Sequence, residues 1–168
     1  MQAMSSLAPP EFVARLIDPD HLASALDPLR GLGPVVFTNG VFDVLHRGHV
    51  TYLAQARAMG ASLVVALNTD ASVKRLGKGD DRPLNTLMDR AWVMASLGSV
   101  SIVTWFDEDT PLSLIQRVRP DILVKGGDYD MDALAEAQWV RAQGGKALAI
   151  PFVSGYSTTQ LVKRIRQA

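Results

Sequence analysis

Cysteine is absent from this 168-residue chain. Disulfide staples, thiolate nucleophiles and Cys-ligated zinc are thereby excluded. The sequence also lacks any run of about 18 apolar residues, so it offers no membrane span. Met1–Pro10 has no basic stretch followed by an apolar one and does not read as a secretory signal. Net charge is missing as well: 17 Lys and Arg balance 17 Asp and Glu. That balance argues against a broad nucleic-acid surface. Neither a Gly-x-Gly-x-x-Gly turn nor a Walker loop is present, which disfavours dinucleotide and P-loop chemistry. What is there is a chain 48% hydrophobic and 20% charged. Such a chain can bury a real core, and it is expected to form one domain working in the cytoplasm.

Residues 1–33 read as a helical lead-in to a main domain at 34–168. Pro9-Pro10, Asp18-Pro19 and Asp27-Pro28 punctuate two short apolar stretches, with Asp18 or Asp20 as a helix cap. Beyond Gly33, apolar runs alternate with amphipathic ones. Strands are expected near 35–37, 63–67, 101–105, 122–124 and 147–150. Helices are expected over 48–59, 84–97, 111–118, 133–143 and 158–165. This alternation predicts an α/β fold, a doubly wound parallel sheet of about five strands with helices on both faces. Trp92, Trp105 and Trp139 are expected to pack rather than stack on a base, and Met88 and Met94 to lie in the core. Ligands of such sheets sit outside the carboxyl ends of the strands, so the loops at 38–49, 68–83, 106–110, 125–130 and 151–157 are the candidate site.

The first of these loops reads Thr38-Asn39-Gly40-Val41-Phe42-Asp43-Val44-Leu45-His46-Arg47-Gly48-His49. Two histidines three residues apart at a helix start can aim at one point. Free N–H groups and the helix dipole make that point an anion site, and Gly48 allows a phosphate close to the backbone. Capping or packing roles for the histidines are the bland alternative. Metal ligation with Asp43 is a third, but a zinc site would need carboxylates or water to complete it. Lys78 and Arg82 stand in a charged, Gly-rich loop that could swing over a triphosphate, or simply be solvated. Lys125 follows an apolar strand and precedes Gly126-Gly127, so it points to the crevice; pairing with Asp128 is the alternative. Ser157, Thr158 and Thr159 open the last helix as caps, a placement that also suits phosphate.

Gly40-Val41-Phe42-Asp43-Val44-Leu45-His46-Arg47-Gly48-His49 resembles the HxGH signature of the nucleotidyltransferases, in the form of their cytidylyltransferase-like branch. Asn68-Thr69-Asp70-Ala71-Ser72, Val124-Lys125-Gly126-Gly127-Asp128-Tyr129 and Gly155-Tyr156-Ser157-Thr158-Thr159 extend the likeness. With them, residues 34–167 resemble the adenylyltransferase domains of the bacterial ADP-heptose synthases. Many of those domains are fused behind a ribokinase-type sugar kinase; this chain resembles the stand-alone form. Val41 stands where relatives often carry Cys, and Tyr156 where a more variable residue is expected.

The resemblance implies a Rossmann-like fold and transfer of AMP from ATP to D-glycero-β-D-manno-heptose 1-phosphate, releasing pyrophosphate. It implies catalytic roles for His46, His49 and Lys78. Nucleotide contacts would come from Thr38, Asn39, Gly40, Phe42, Gly48, Arg82, Gly126, Ser157, Thr158 and Thr159. Asp43, Asn68, Asp70, Lys125 and Asp128 would face the sugar phosphate. Mg²⁺ would arrive with ATP, and no resident metal is expected. The partners implied are ATP and a sugar 1-phosphate, with neither nucleic acid nor membrane; kinase and phosphatase activities would sit on separate chains, and a homo-oligomer stays open. A related transferase acting on glycerol 3-phosphate with CTP or phosphopantetheine with ATP is one alternative. A non-catalytic nucleotide-binding module is the other.

Overall fold

A computed structural model describes residues 8–77 and 81–167. Five strands form one sheet: β1 (Val35–Gly40), β2 (Ser62–Asn68), β3 (Ile102–Phe106), β4 (Ile122–Gly126) and β5 (Lys146–Ile150). Their order is β3-β2-β1-β4-β5, and every pairing is parallel. Among the described residues seven α-helices accompany them: α1 (Leu22–Arg30), α2 (Arg47–Arg57), α3 (Asp70–Arg75), α4 (Leu87–Ala95), α5 (Leu112–Val118), α6 (Ala135–Ala142) and α7 (Thr158–Gln167). The expected alternation is therefore the observed one. No helix among the described residues is long and apolar enough to cross a membrane.

Strand side chains alternate between two buried faces. Val35 and Phe37 of β1 join Leu123, Ile115 and Val140 in one core; Val36 joins Leu53, Leu63 and Met94 in the other. The lead-in is part of this core rather than apart from it. Leu22 and Leu26, one helical turn apart on α1, are almost wholly buried in the first cluster. Arg15 donates to the carbonyls of Ala95, Leu97 and Val100, and Ile17 N–H donates to Val103 O at the edge of β3. The Asp18 side chain caps the short 3₁₀ turn Pro19–His21, as the sequence suggests.

Three local expectations need correction. The helix expected from Leu84 begins at Leu87, because Thr86 caps it by accepting from Asp89 N–H. Met94 is buried, but Met88 is 47% exposed; it lies in the first turn of α4, while burial is concentrated later at Ala91, Met94 and Ala95. The short helix α3, capped by Thr69, is an element that periodicity did not reveal in six residues. Trp92 packs edge-on against Phe12, with ring centres 5.8 Å apart, and Trp105 and Trp139 pack against the two cores.

One feature of the sheet makes room for a site. β1 pairs with β2 along its whole length, up to Gly40 against Leu67. Against β4 it pairs only at Val36–Ile122 and Phe37–Leu123. Beyond Phe37 the two strands splay. This is where the strand order reverses, the place at which an open parallel sheet forms a ligand crevice. Side chains bridge the split: the Tyr52 hydroxyl donates to Val124 O at 3.2 Å and shares a 2.5 Å hydrogen bond with Thr38.

Candidate active site

A cleft of about 420 Å³ opens at the splayed strand ends. Asn39, Gly40 and Phe42 form one wall, Gly126 a second, and Thr158 and Thr159 close it from α7. His49 reaches in from α2. Gly40 is needed there, since a Cβ would sit 2.9 Å from the Phe42 ring. Phe42 itself adopts φ 47°, a left-handed conformation costing roughly 1–2 kcal/mol. The next residue holds it in place. The Asp43 carboxylate is fully buried and accepts from Leu84 N–H, Asn85 N–H and Arg82 Nε. The turn after β1 is thus tied to residues about forty positions later.

Gly48 lets two rings approach the start of α2: a Cβ there would lie 3.1 Å from the His46 ring and from Tyr156 Cβ. The His46 and His49 rings stack at 3.9 Å, tilted by 16°. His46 caps α2 through its backbone carbonyl, which accepts from His49 and Val50 N–H, and its side chain makes no capping bond. The capping role considered for these imidazoles is therefore not the one they play. Both Nδ1 atoms are buried without a partner among the described residues. An unpaired buried N–H costs more than an unpaired lone pair, so this environment favours the tautomer with the proton on Nε2.

Burial lowers both histidine pKa values, His49 to about 4, with the neighbouring His46 as a second cause. Each ring is thus a neutral donor at pH 7. The consequence for stability has a definite sign. Above pH 6.5 both folded and unfolded chains hold neutral His49; below it only the unfolded chain takes the proton. Stability should fall by about 2 kcal/mol between pH 7.5 and 5 from this residue. Urea unfolding at the two pH values measures it, and His49→Asn should flatten the difference. An equally steep fall in the variant would contradict this origin.

The sequence-predicted residues divide into three groups. Asn39, Gly40, Phe42, His49, Arg82, Gly126, Thr158 and Thr159 meet in the cleft with Asp43, although the Asp43 carboxylate is already occupied by protein donors. Asn68 and Lys125 line a second cavity across the seam. The other described ones line neither cavity: His46 stacks on His49, and Gly48 lies against the His46 ring and Tyr156. Thr38 is buried and bonded to Tyr52. Ser157 caps α7 by accepting from Gln160 N–H. Asp70 pairs with buried Arg90 at 2.7 Å, and Asp128 is exposed and lines neither cavity. Lys78 lies outside the described residues.

The suspected Lys125–Asp128 pair is corrected. Lys125 pairs with Glu136 of α6, Nζ to Oε1 at 2.9 Å. Sequence reasoning missed Glu136, which reads as an ordinary acidic residue in a first helical turn. It missed Tyr52 too, although that residue stands one turn after His49 on the same helix. Tyr156 has a role as well. It packs against Gly48, with the Arg47 guanidinium 5.9 Å from its ring centre.

The family profile described as cytidylyltransferase-like matches residues 37–164, spanning the histidine turn and the threonines of α7. The chain belongs to the cytidylyltransferase-like family. It is 56% identical to the D-beta-D-heptose 1-phosphate adenylyltransferase of Bordetella bronchiseptica, over 93% of this chain and 96% of that one. It is 53% identical to bifunctional protein HldE of a Marinomonas species, over 77% of this chain but 27% of the relative. The chain thus spans only about a quarter of that bifunctional relative. Among solved structures, a lipopolysaccharide core biosynthesis protein from Thermoplasma volcanium superposes with a TM-score of 0.59 at 26% identity, covering 74% of this chain and 99% of that one. The nucleotidyltransferase resemblance of the histidine turn is borne out.

Proposed function

We propose that this cytidylyltransferase-like protein transfers AMP from ATP to D-glycero-β-D-manno-heptose 1-phosphate, giving ADP-heptose and pyrophosphate for lipopolysaccharide core synthesis in the cytoplasm. The observation that carries this is the 56% identity to a heptose 1-phosphate adenylyltransferase across almost the full length of both chains. The site geometry suits it. A phosphate oxygen of the acceptor attacks the α-phosphorus of ATP, and the bond from that phosphorus to the bridging oxygen breaks as pyrophosphate leaves. A phosphate monoester has its second pKa near 6, so the nucleophile is largely formed at pH 7 without a protein base. The protein's tasks are alignment and stabilisation of charge.

His46 and His49 would donate from Nε2 to oxygens of the α- and β-phosphates. Thr158, Thr159 and the first N–H groups of α2 would hold the triphosphate, and Lys78 would join the histidines in binding oxygens that gain charge at the α- and β-phosphates. Lys125 would meet the acceptor's phosphate at the seam between the two cavities. Mg²⁺ enters as the counterion of ATP. The cleft offers it imidazole, amide and hydroxyl groups, and the one carboxylate in its wall among the described residues, Asp43, is saturated by protein donors. Chelation should therefore abolish turnover and added Mg²⁺ restore it, while the melting temperature of the ligand-free protein stays unchanged. A melting temperature lowered by the chelator would point to a resident metal instead.

The activity is tested by pyrophosphate release with ATP or CTP against heptose 1-phosphate, glycerol 3-phosphate and phosphopantetheine. Release with ATP and heptose 1-phosphate is the expected result. Release only with another pair would leave the nucleotidyltransferase assignment and remove the substrate. In this reading a sugar kinase activity supplies the heptose 1-phosphate.

A further inference from the structure

The second cavity, about 300 Å³, lies across the β1–β4 seam and shares Asn39, Gly40, Gly126 and Tyr129 with the main cleft. Lys125 and Glu136 line it, each with a side chain only 8% exposed. Besides its 2.9 Å contact with Glu136, Lys125 Nζ donates to Asn39 Oδ1 at 2.6 Å. An ammonium has three N–H donors, and these two acceptors, among the described residues, leave one for a ligand. Asn39 and Lys125 belong to the two strands that splay, so this contact is a second side-chain bridge beside that of Tyr52.

We infer that Glu136 is a positioning residue for the reaction proposed above: it holds the Lys125 ammonium against Asn39 at the seam, and so fixes the cation that receives the acceptor's phosphate. The inference rests on that activity. An ammonium this deeply buried is strongly disfavoured without a counter-charge, and a long flexible stem gives it no fixed place of its own. Stability alone is a poor reason for such a pair, since apolar side chains of similar volume usually do as well. The other carboxylate in the cavity wall among the described residues, Asp109, is engaged at 2.9 Å with Arg75. Glu136 is therefore the carboxylate that holds Lys125. It is delivered by a firmly seated element, because Ala137 and Val140 of α6 are fully buried, and the start of a helix favours an anion there.

The test is a cycle of Glu136→Gln, Lys125→Met and the double variant, with Glu136→Asp as the conservative change. Melting temperatures and circular dichroism identify the folded variants. Kinetics use whichever phosphorylated acceptor the wild type accepts. Glu136→Gln should lower kcat/KM for the acceptor about tenfold and leave KM for ATP within about twofold, with Glu136→Asp recovering part of the loss. The double variant should be no worse than Lys125→Met alone, because Glu136 acts through Lys125. Equal losses toward both substrates, additive losses in the cycle, or a fully active Glu136→Gln enzyme would each overturn the inference. A wild type inert toward heptose 1-phosphate but active on another acceptor would contradict the activity instead, and the same cycle on that acceptor would still decide the role of Glu136.

Discussion

Replacing His46 or His49 by alanine is expected to lower turnover by about 10²–10³-fold, the usual effect of removing one donor from a developing oxyanion. The rings stack at 3.9 Å at the start of α2, with their Nδ1 atoms buried. Neutral when the cleft is empty, they add no mutual repulsion to the free protein. A bound triphosphate brings several negative charges beside them, and the interaction grows as charge develops at the α- and β-phosphates. The loss should therefore fall on kcat more than on KM for ATP. Since His49 is a source of acid lability, His49→Ala should keep its fold and be less sensitive to low pH. Steady-state kinetics beside a urea titration reads both effects. A variant that keeps wild-type kcat would remove its histidine from the chemistry.

The second large effect is on stability. Asp43→Ala should destabilise the chain by about 3–5 kcal/mol, because it strands a partly buried guanidinium and two backbone donors. For a domain of this size that corresponds to a fall in melting temperature of roughly 10 °C. The donors at stake are Arg82 Nε at 2.6 Å, Leu84 N–H and Asn85 N–H. Asp43→Asn keeps one acceptor oxygen and should cost less than half as much. Where Asp43→Ala folds at all, its activity should also be poor, since the same contacts hold Phe42 in its left-handed conformation beside Gly40. Differential scanning calorimetry of the two variants decides the matter. A change below about 1 kcal/mol in Asp43→Ala would show that the carboxylate is dispensable to the fold.

Much of this architecture is legible in the sequence, because the information is local. Continuous apolar runs such as Leu63–Leu67 mark strands buried on both faces. The turn from Thr38 to His49 carries its glycines and histidines within twelve residues. What was not legible depends on partners distant in sequence. Asp43 looks like a ligand contact until residues 84 and 85 fold back onto it. Lys125 stands at the strand end as its position predicts, but its partner lies across a loop on the first turn of the next helix, and sequence distance favours the nearer Asp128. The prolines of the lead-in mask its share in the core, although Leu22 and Leu26 show the one-turn spacing of a buried face. Thr38 alternates inward with its strand, and only the splay of β1 from β4 shows why a hydroxyl is useful there.

The central claim is that the adenylyl group moves, with the sugar phosphate as nucleophile and pyrophosphate as leaving group. It is tested most directly by following label from ATP carrying either a labelled α-phosphate or a labelled γ-phosphate, with heptose 1-phosphate and Mg²⁺. The account predicts that the α-label appears in the sugar nucleotide and the γ-label in pyrophosphate, with both transfers slowed about 10²–10³-fold in His46→Ala and His49→Ala. Label from the γ-phosphate on the sugar, or α-label left in free AMP with the heptose 1-phosphate unchanged, would contradict it.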